Sequence, residues 1–301
     1  MADFAKDGGS AGMLTAEQVD FYVEHGYLML PDALSAKEVA ELRANVDEIV
    51  ASAAKVTTHT DVFDLEDGHS PAAPKVRRIK TPHKHFDYFN RLVRHPGLMA
   101  TLSALLGPNI RLHGSKLNMK SAGFGAPVEW HQDWAFYPHT NDDVLATGIL
   151  LDDCTEENGP MLVIPDSHRG RMYDHHSDGA FCGAITGELN QIDFSKAVPL
   201  VGKAGSMSIH HARSLHGSAQ NRSAKQRRLL LFEYAAADAF PLMGISDYAE
   251  FNSRIVLGEP TVVPRVRPAP VRMPLPPAKA QGSIYENQRG AKVRYFGAAA
   301  E

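Results

Sequence analysis

Apolar and polar residues recur along this chain with two different periods, and the change from one to the other divides it. Thr15-Ala-Glu-Gln18 has the form of a capping box, in which a threonine hydroxyl and a glutamine side chain satisfy free N–H groups at a helix start. Val19, Tyr22 and Val23 follow at i, i+3 and i+4, so the helix has an apolar face, and Gly26 ends it. Tyr27–Leu30 predicts a short strand. Ser35-Ala-Lys-Glu38 is a second capping box, opening a longer helix with Val39, Leu42, Val46 and Ile49 on one side. Residues 91–106 predict another helix, ending before Gly107-Pro108.

From Ile110 to Tyr234 short apolar runs alternate with turn residues. They predict strands at Ile110–His113, Gly148–Leu151, Met161–Ile164, Ser206–Ile209 and Leu229–Tyr234. Glu157-Asn-Gly-Pro160, between two such runs, carries an Asn-Gly hairpin signal. Short strands after a helical region predict a mainly β sandwich or jelly roll with the N-terminal helices packed outside. Seven prolines between Pro260 and Pro277 exclude a central strand there. An SH3-type ligand is one reading of that stretch; a segment wrapping over its own domain is the one we adopt, and it is also a place for contacts in a homo-oligomer. The chain thus divides into a flexible tail at 1–13, one jelly-roll domain at 14–245 and a Pro-rich extension at 246–301.

Composition narrows the function. The 301 residues include 31 Lys+Arg against 35 Asp+Glu, a net charge of −4, which leaves no basic surplus for nucleic acid. Cys154 and Cys182 are too few for a disulfide framework or a cysteine zinc site. The first residues lack the apolar core of a secretory signal, and no apolar run of about 18 residues could span a bilayer. The expectation is a soluble cytoplasmic protein acting on a small molecule, and the acceptor-like Asn221-Arg-Ser223 is a chance match.

The chemistry concentrates in Glu129-Trp-His-Gln-Asp-Trp134. On a strand, His131 and Asp133 project to one face, placing an imidazole beside a carboxylate. Later comes His210-His-Ala-Arg-Ser-Leu-His216-Gly-Ser218. Two histidines and one carboxylate with open coordination positions form the facial triad of non-haem Fe(II) oxygenases. If 221–225 is a turn, Arg227 returns on the neighbouring strand close to His216, where its guanidinium could clamp a carboxylate.

His131-Gln-Asp133, Glu157-Asn-Gly-Pro, Ile164-Pro-Asp-Ser-His168, Leu215-His-Gly-Ser218 and Arg227 together resemble the phytanoyl-CoA dioxygenase (PhyH-like) family over residues 14–240. The resemblance implies a double-stranded β-helix, that is a cupin-like jelly roll, and an Fe(II)- and 2-oxoglutarate-dependent dioxygenase using O2. Such an enzyme hydroxylates an unactivated C–H bond of a small molecule and releases succinate and CO2. It also implies that His131, Asp133 and His216 bind Fe(II), that Arg227 and Ser218 hold the distal carboxylate of 2-oxoglutarate, and that Lys80 contacts the cosubstrate. Two positions depart from the family: Ile149 stands where the phytanoyl-CoA enzyme has a cosubstrate-contacting Trp, and Lys116 where it has a Met, which removes the argument for an acyl-CoA substrate. Halogenases on this scaffold lack the carboxylate that Asp133 supplies.

Other readings stay open. The same metal site could serve desaturation, cyclisation or epimerisation. A non-catalytic jelly roll could use the metal structurally, and a cupin-type metalloenzyme could dispense with the cosubstrate. His131 and Asp133 could be a plain hydrogen-bonded pair. His210 and His211 are expected to pack or line the pocket, and His175-His176 to form a polar loop instead of a second metal site. Trp134, Phe136 and Tyr137 could wall a substrate pocket or belong to the core, and Lys116, Lys120, Arg213 and Arg228 could line the site with positive charge.

Overall fold

The structure, a computed structural model, describes residues 12–123 and 125–297, so most of the tail expected at 1–13 lies outside the described residues. Helix α1 (Ala16–His25) opens on the Thr15 capping box and ends at Gly26, whose φ of 75° is the left-handed cap that glycine adopts without strain. Its apolar face is narrower than its sequence spacing indicates: Tyr22 is buried, while Val23 is exposed. Helix α2 (Ala36–Ser52) has the second capping box and buries Val39, Leu42, Val46 and Ile49 as the spacing requires. The helix expected at 91–106 is broken. Pro96 has no N–H to give and must begin a helix, so α5 (Pro96–Leu106) starts there. It is preceded by two short helices, α3 (Pro82–His85) and α4 (Asp87–Leu92).

Among the described residues fourteen strands follow the alternating texture. They are β1 (Tyr27–Leu30), β2 (Phe63–Leu65), β3 (Val76–Lys80), β4 (Ile110–Lys120), β5 (Val128–His131), β6 (Val144–Leu150) and β7 (Met161–Val163). Then come β8 (His176–Ser177), β9 (Ala180–Phe181), β10 (Val198–Leu200), β11 (Met207–His211), β12 (His216–Ser218), β13 (Arg227–Ala236) and β14 (Ile255–Leu257). Strands β4, β6 and β13 run well past the apolar cores that mark them in sequence, because their pairing with one another continues beyond those cores.

Twelve of these strands build the two sheets of a jelly roll, and β8 and β9 pair as a separate ribbon. The larger has the order β1-β11-β6-β13-β4-β3-β2, with β14 also on β4; the smaller is β10-β7-β12-β5. The outer face of the large sheet, with Leu117, Ile149, Ile209, Leu230 and Phe232, packs on α2, α4 and α5 as the main core. Its inner face looks across at the small sheet, and the chemistry lies in that gap. Asn158-Gly159 is not a hairpin turn: β6 and β7 belong to different sheets, and a one-turn 3₁₀ helix (Glu156–Asn158) carries the chain between them. Gly159 has φ 74°, and a Cβ there would meet the Ala219 carbonyl at 2.6 Å.

Beyond β13 the chain wraps the domain. The Pro-rich stretch forms no strand; the indole N–H of buried Trp134 donates to the Pro270 carbonyl (3.0 Å), and the Phe181 N–H to Pro276 (2.8 Å). Helix α6 (Tyr248–Ser253) precedes it and α7 (Ile284–Gln288) follows. Among the described residues no helix is long and apolar enough to cross a membrane, and Cys154 and Cys182 are buried free thiols.

Candidate active site

His131 ends β5 and His216 begins β12, and the two are direct antiparallel partners in the small sheet. Each ring is fixed by its own strand: His131 Nδ1 bonds the Glu129 carbonyl (2.8 Å) and His216 Nδ1 bonds the Ser214 carbonyl (2.9 Å). A carbonyl can only accept, so both Nδ1 atoms carry the proton and both Nε2 lone pairs are free. Asp133 does not share the strand of His131. It starts a 3₁₀ turn (Asp133–Ala135) just beyond β5, and the turn swings its carboxylate back, Oδ1 lying 3.6 Å from His131 Nε2 and 3.9 Å from His216 Nε2. One ligand atom from each residue fits within 4.8 Å of the others, close enough to share an ion.

The electrostatics suit a cation. Burial opposes the charge on Asp133, yet the Lys116 ammonium and the neighbouring His131 and His210 rings hold its carboxyl well below the usual range. Burial and the neighbouring His131 and His210 keep His216 well below its ordinary value and so neutral. Two imidazoles and one carboxylate leave half an octahedral shell open, as Fe(II) requires when a chelating cosubstrate must also bind. His210 also reaches this centre: it is 1% exposed, its Nε2 is 3.4 Å from Asp133 Oδ2, and neither ring nitrogen has another partner.

Arg227 enters from the opposite wall. It begins β13 in the large sheet, so it is not on a strand hydrogen-bonded to that of His216; it meets Ser218 and His216 across the gap, on the same cavity. Its guanidinium is 2% exposed and donates to the Gly159 carbonyl (2.6 Å), while Nε is unpartnered and, among the described residues, no carboxylate pairs with it. Lys120, 1% exposed, donates to Ser218 Oγ (2.9 Å) and to the Ala219 carbonyl. Burial, then Arg227, pushes its ammonium well below the ordinary value. Two buried basic side chains that pair with no carboxylate among the described residues, facing three metal-type ligands, fit a dicarboxylate that chelates a metal at its other end. A metal that merely held the fold together would need no such pair.

Other candidates fall elsewhere. Lys80 turns its ammonium to Asp64 (3.4 Å) and is not part of the cavity wall, whereas the adjoining Lys116, paired with Glu233 (2.6 Å), is. Ile149 is in the outer core and does not reach the cavity. Arg213 pairs with Asp142 and Arg228 with Asp152 and Asp47, both away from the cavity. His175 accepts the Gln132 N–H (2.9 Å) and His176 bonds Asp174 and the Leu275 carbonyl, so both hold loops. Asn221 is fully buried, which excludes a glycan. Trp134 is core, whereas Phe136 and Tyr137 line a second cavity of about 330 Å³ further along β4, with Arg111, His113, His139 and Arg254.

Sequence reading missed Asn118, Glu233 and Tyr285 as cavity residues or their partners. The alternation Lys116-Leu-Asn-Met-Lys120 was a usable signal for the first, since residues of one strand face separate at period two. Glu233 and Tyr285 carry no local signal.

Comparison with known proteins agrees with this geometry. A family model described as phytanoyl-CoA dioxygenase (PhyH) matches residues 22–229. A probable alpha-ketoglutarate-dependent hypophosphite dioxygenase of Stutzerimonas stutzeri is 41% identical over 285 residues, covering 93% of this chain and 99% of that protein. The L-proline trans-4-hydroxylase of Streptomyces griseoviridis is 33% identical over 233 residues, covering 71% and 83%. Among solved structures, EctD from S. alaskensis with bound Fe superposes with a TM-score of 0.67 at 26% identity, covering 89% of this chain and 91% of that one.

Proposed function

The chain belongs to the phytanoyl-CoA dioxygenase family, and from that premise we propose that it is an Fe(II)- and 2-oxoglutarate-dependent dioxygenase whose substrate is a small phosphorus oxyanion of the hypophosphite type. His131, Asp133 and His216 hold the iron, and Arg227 with Ser218 holds the distal carboxylate of 2-oxoglutarate. Bound together, iron and cosubstrate couple decarboxylation of 2-oxoglutarate to succinate and CO2 with insertion of one oxygen atom of O2 into an X–H bond. That bond is C–H in an organic substrate, as the resemblance led us to expect, and P–H in hypophosphite, which becomes phosphite.

The observation that carries the substrate class is the charge of the cavity wall. Lys116, Lys120 and Arg227 face it, against Asp133 and the Glu233 that pairs with Lys116. A divalent metal adds two positive charges and 2-oxoglutarate removes two, so the wall's own basic side chains decide which substrate suits the site. A small anion suits them, and Lys116, beside Asp133, is placed to receive it. Cys154 and Cys182 are free thiols, which agrees with a cytoplasmic enzyme.

The test is succinate release by iron-loaded protein offered hypophosphite, short alkylphosphonates, proline and ectoine, with ³¹P NMR of the products. Hypophosphite-dependent succinate matched one to one by phosphite establishes the reading. Stimulation by proline or ectoine alone removes the substrate class and leaves the dioxygenase; failure of 2-oxoglutarate to bind removes both.

A further inference from the structure

The cosubstrate end of the cavity is closed by a part of the chain outside the region that the family model matches. Ile284 and Tyr285, the first residues of α7, stand in the same cavity wall as Arg227, Ser218 and Lys120. Tyr285 is 7% exposed. Its ring lies over the Arg77 guanidinium, 4.8 Å from Cζ to the ring centre, and its hydroxyl has no hydrogen-bond partner among the described residues. Arg227 is its strongest charged neighbour. A phenol in a cavity wall, beside a buried guanidinium that has no carboxylate partner among the described residues, is able to donate to an anion bound there.

The segment is held firmly enough to place that donor. A capping box joins Ser283 to Glu286, and Glu286 is ion-paired with Arg77, beneath the Tyr285 ring. Strand β5, which carries His131, is an edge of the small sheet. Gln288 covers that edge as a strand would: its Oε1 accepts the Glu129 N–H (2.9 Å), and its Nε2 donates to the Gly183 carbonyl (2.9 Å). Further on, the Tyr295 and Phe296 N–H groups donate to Glu129 Oε2 (2.7 and 3.2 Å), and Phe296 stacks on Trp130 at 5.9 Å.

We propose that Tyr285 is a cosubstrate-binding residue, its hydroxyl donating to the distal carboxylate of 2-oxoglutarate beside Arg227, and that α7 closes the cavity behind that carboxylate and so limits the length of the dicarboxylate. The proposal rests on the 2-oxoglutarate reading of the preceding subsection and adds a residue to it. It makes residues 284–297 part of the active site.

Anaerobic titration of the Fe(II)-loaded full-length protein, followed by its visible charge-transfer band, tests this with 2-oxoglutarate and with the one-carbon-longer 2-oxoadipate. Tyr285→Phe keeps the ring on Arg77 and removes one hydrogen bond to a charged group, so 2-oxoglutarate should bind about tenfold more weakly, with Fe(II) affinity and melting temperature unchanged. Tyr285→Ala, which opens the wall, should in addition shift the ratio of affinities toward 2-oxoadipate by about fourfold, the value of the one buried methylene by which the two acids differ. A purely structural Tyr285 moves melting temperature and not these affinities. Wild-type 2-oxoglutarate affinity in Tyr285→Phe, within twofold, overturns the proposal while the dioxygenase reading stands. No band in the wild-type protein overturns both.

Discussion

His131 and His216 face each other as direct partners on β5 and β12, with ring centres 4.0 Å apart and each Nδ1 tied to the carbonyl two residues back along its own strand. Pairing sets the spacing and the carbonyls set the tautomer, so the backbone pre-forms two corners of a metal site before any metal arrives. The 3₁₀ turn supplies the third corner with Asp133. His131→Ala and Asp133→Ala should each weaken Fe(II) binding by at least about 100-fold, beyond the range typical of losing only a supporting hydrogen bond. Metal content after dialysis and succinate release check this together. A variant that keeps both iron and turnover refutes the triad.

Arg227 sits opposite Ser218 with an unsatisfied Nε and no acidic partner among the described residues. Arg227→Ala would leave the cosubstrate carboxylate buried and unpaired, a cost of about 2–5 kcal/mol. The 2-oxoglutarate requirement should therefore rise about 30-fold or more, with iron affinity untouched. Titration of 2-oxoglutarate in single-turnover and steady-state assays reads the change. A fully active Arg227→Ala enzyme sinks the cosubstrate assignment.

How much of this was legible in the chain depends on the range of the interaction. The capping boxes at Thr15 and Ser35 are complete within four residues, and both helices begin where those boxes stand. The His-x-Asp triplet and distant His216 could be brought together only through resemblance. Their spacing does not show that Asp133 leaves the strand or that Arg227 comes from the opposite sheet. Lys80 shows the limit: its register partner on β4 is Lys116, but a neighbouring carboxylate, Asp64, captures its ammonium. The contribution of Tyr285 depends on contacts spanning more than 50 residues of chain after Arg227, which no local pattern encodes.

Lys116 and Glu233 form an ion pair of 2.6 Å beside the candidate metal ligands, both largely buried. Lys116→Met leaves the Glu233 carboxylate buried without a partner, which should lower stability by about 3–5 kcal/mol. The double variant Lys116→Met with Glu233→Gln removes that charge and should recover most of the stability. It should not recover affinity for an anionic substrate, whose KM should stay at least about tenfold raised, as for loss of one charged hydrogen bond. Melting temperature and substrate KM, measured on all three proteins, separate the two roles. A double variant with wild-type KM for the anion removes Lys116 from the substrate site.

Acid should unfold this protein early, and three buried histidines set the window. Burial lowers the pKa of His83 to about 4, and of His139 and His175 to about 3, from an ordinary value of 6.5. Above pH 6.5 all three are neutral in both folded and unfolded chains and stability does not depend on them. Below it the unfolded chain binds protons that the folded chain refuses, so stability falls as pH drops from 6.5 toward the folded values. Each histidine contributes up to about 1.4 kcal/mol per pH unit, about 4 for the three. A total stability of about 5–15 kcal/mol is then consumed within a few pH units. His175 links this loss to the site, because its Nε2 accepts the Gln132 N–H between His131 and Asp133, and a protonated ring cannot accept. Denaturant unfolding at pH 8, 6 and 5 should show a level stability that then falls steeply, with succinate release lost along the same curve. His175→Gln should flatten the slope by about one proton. Equal stability at pH 8 and pH 5 would mean that these rings are not neutral in the folded protein.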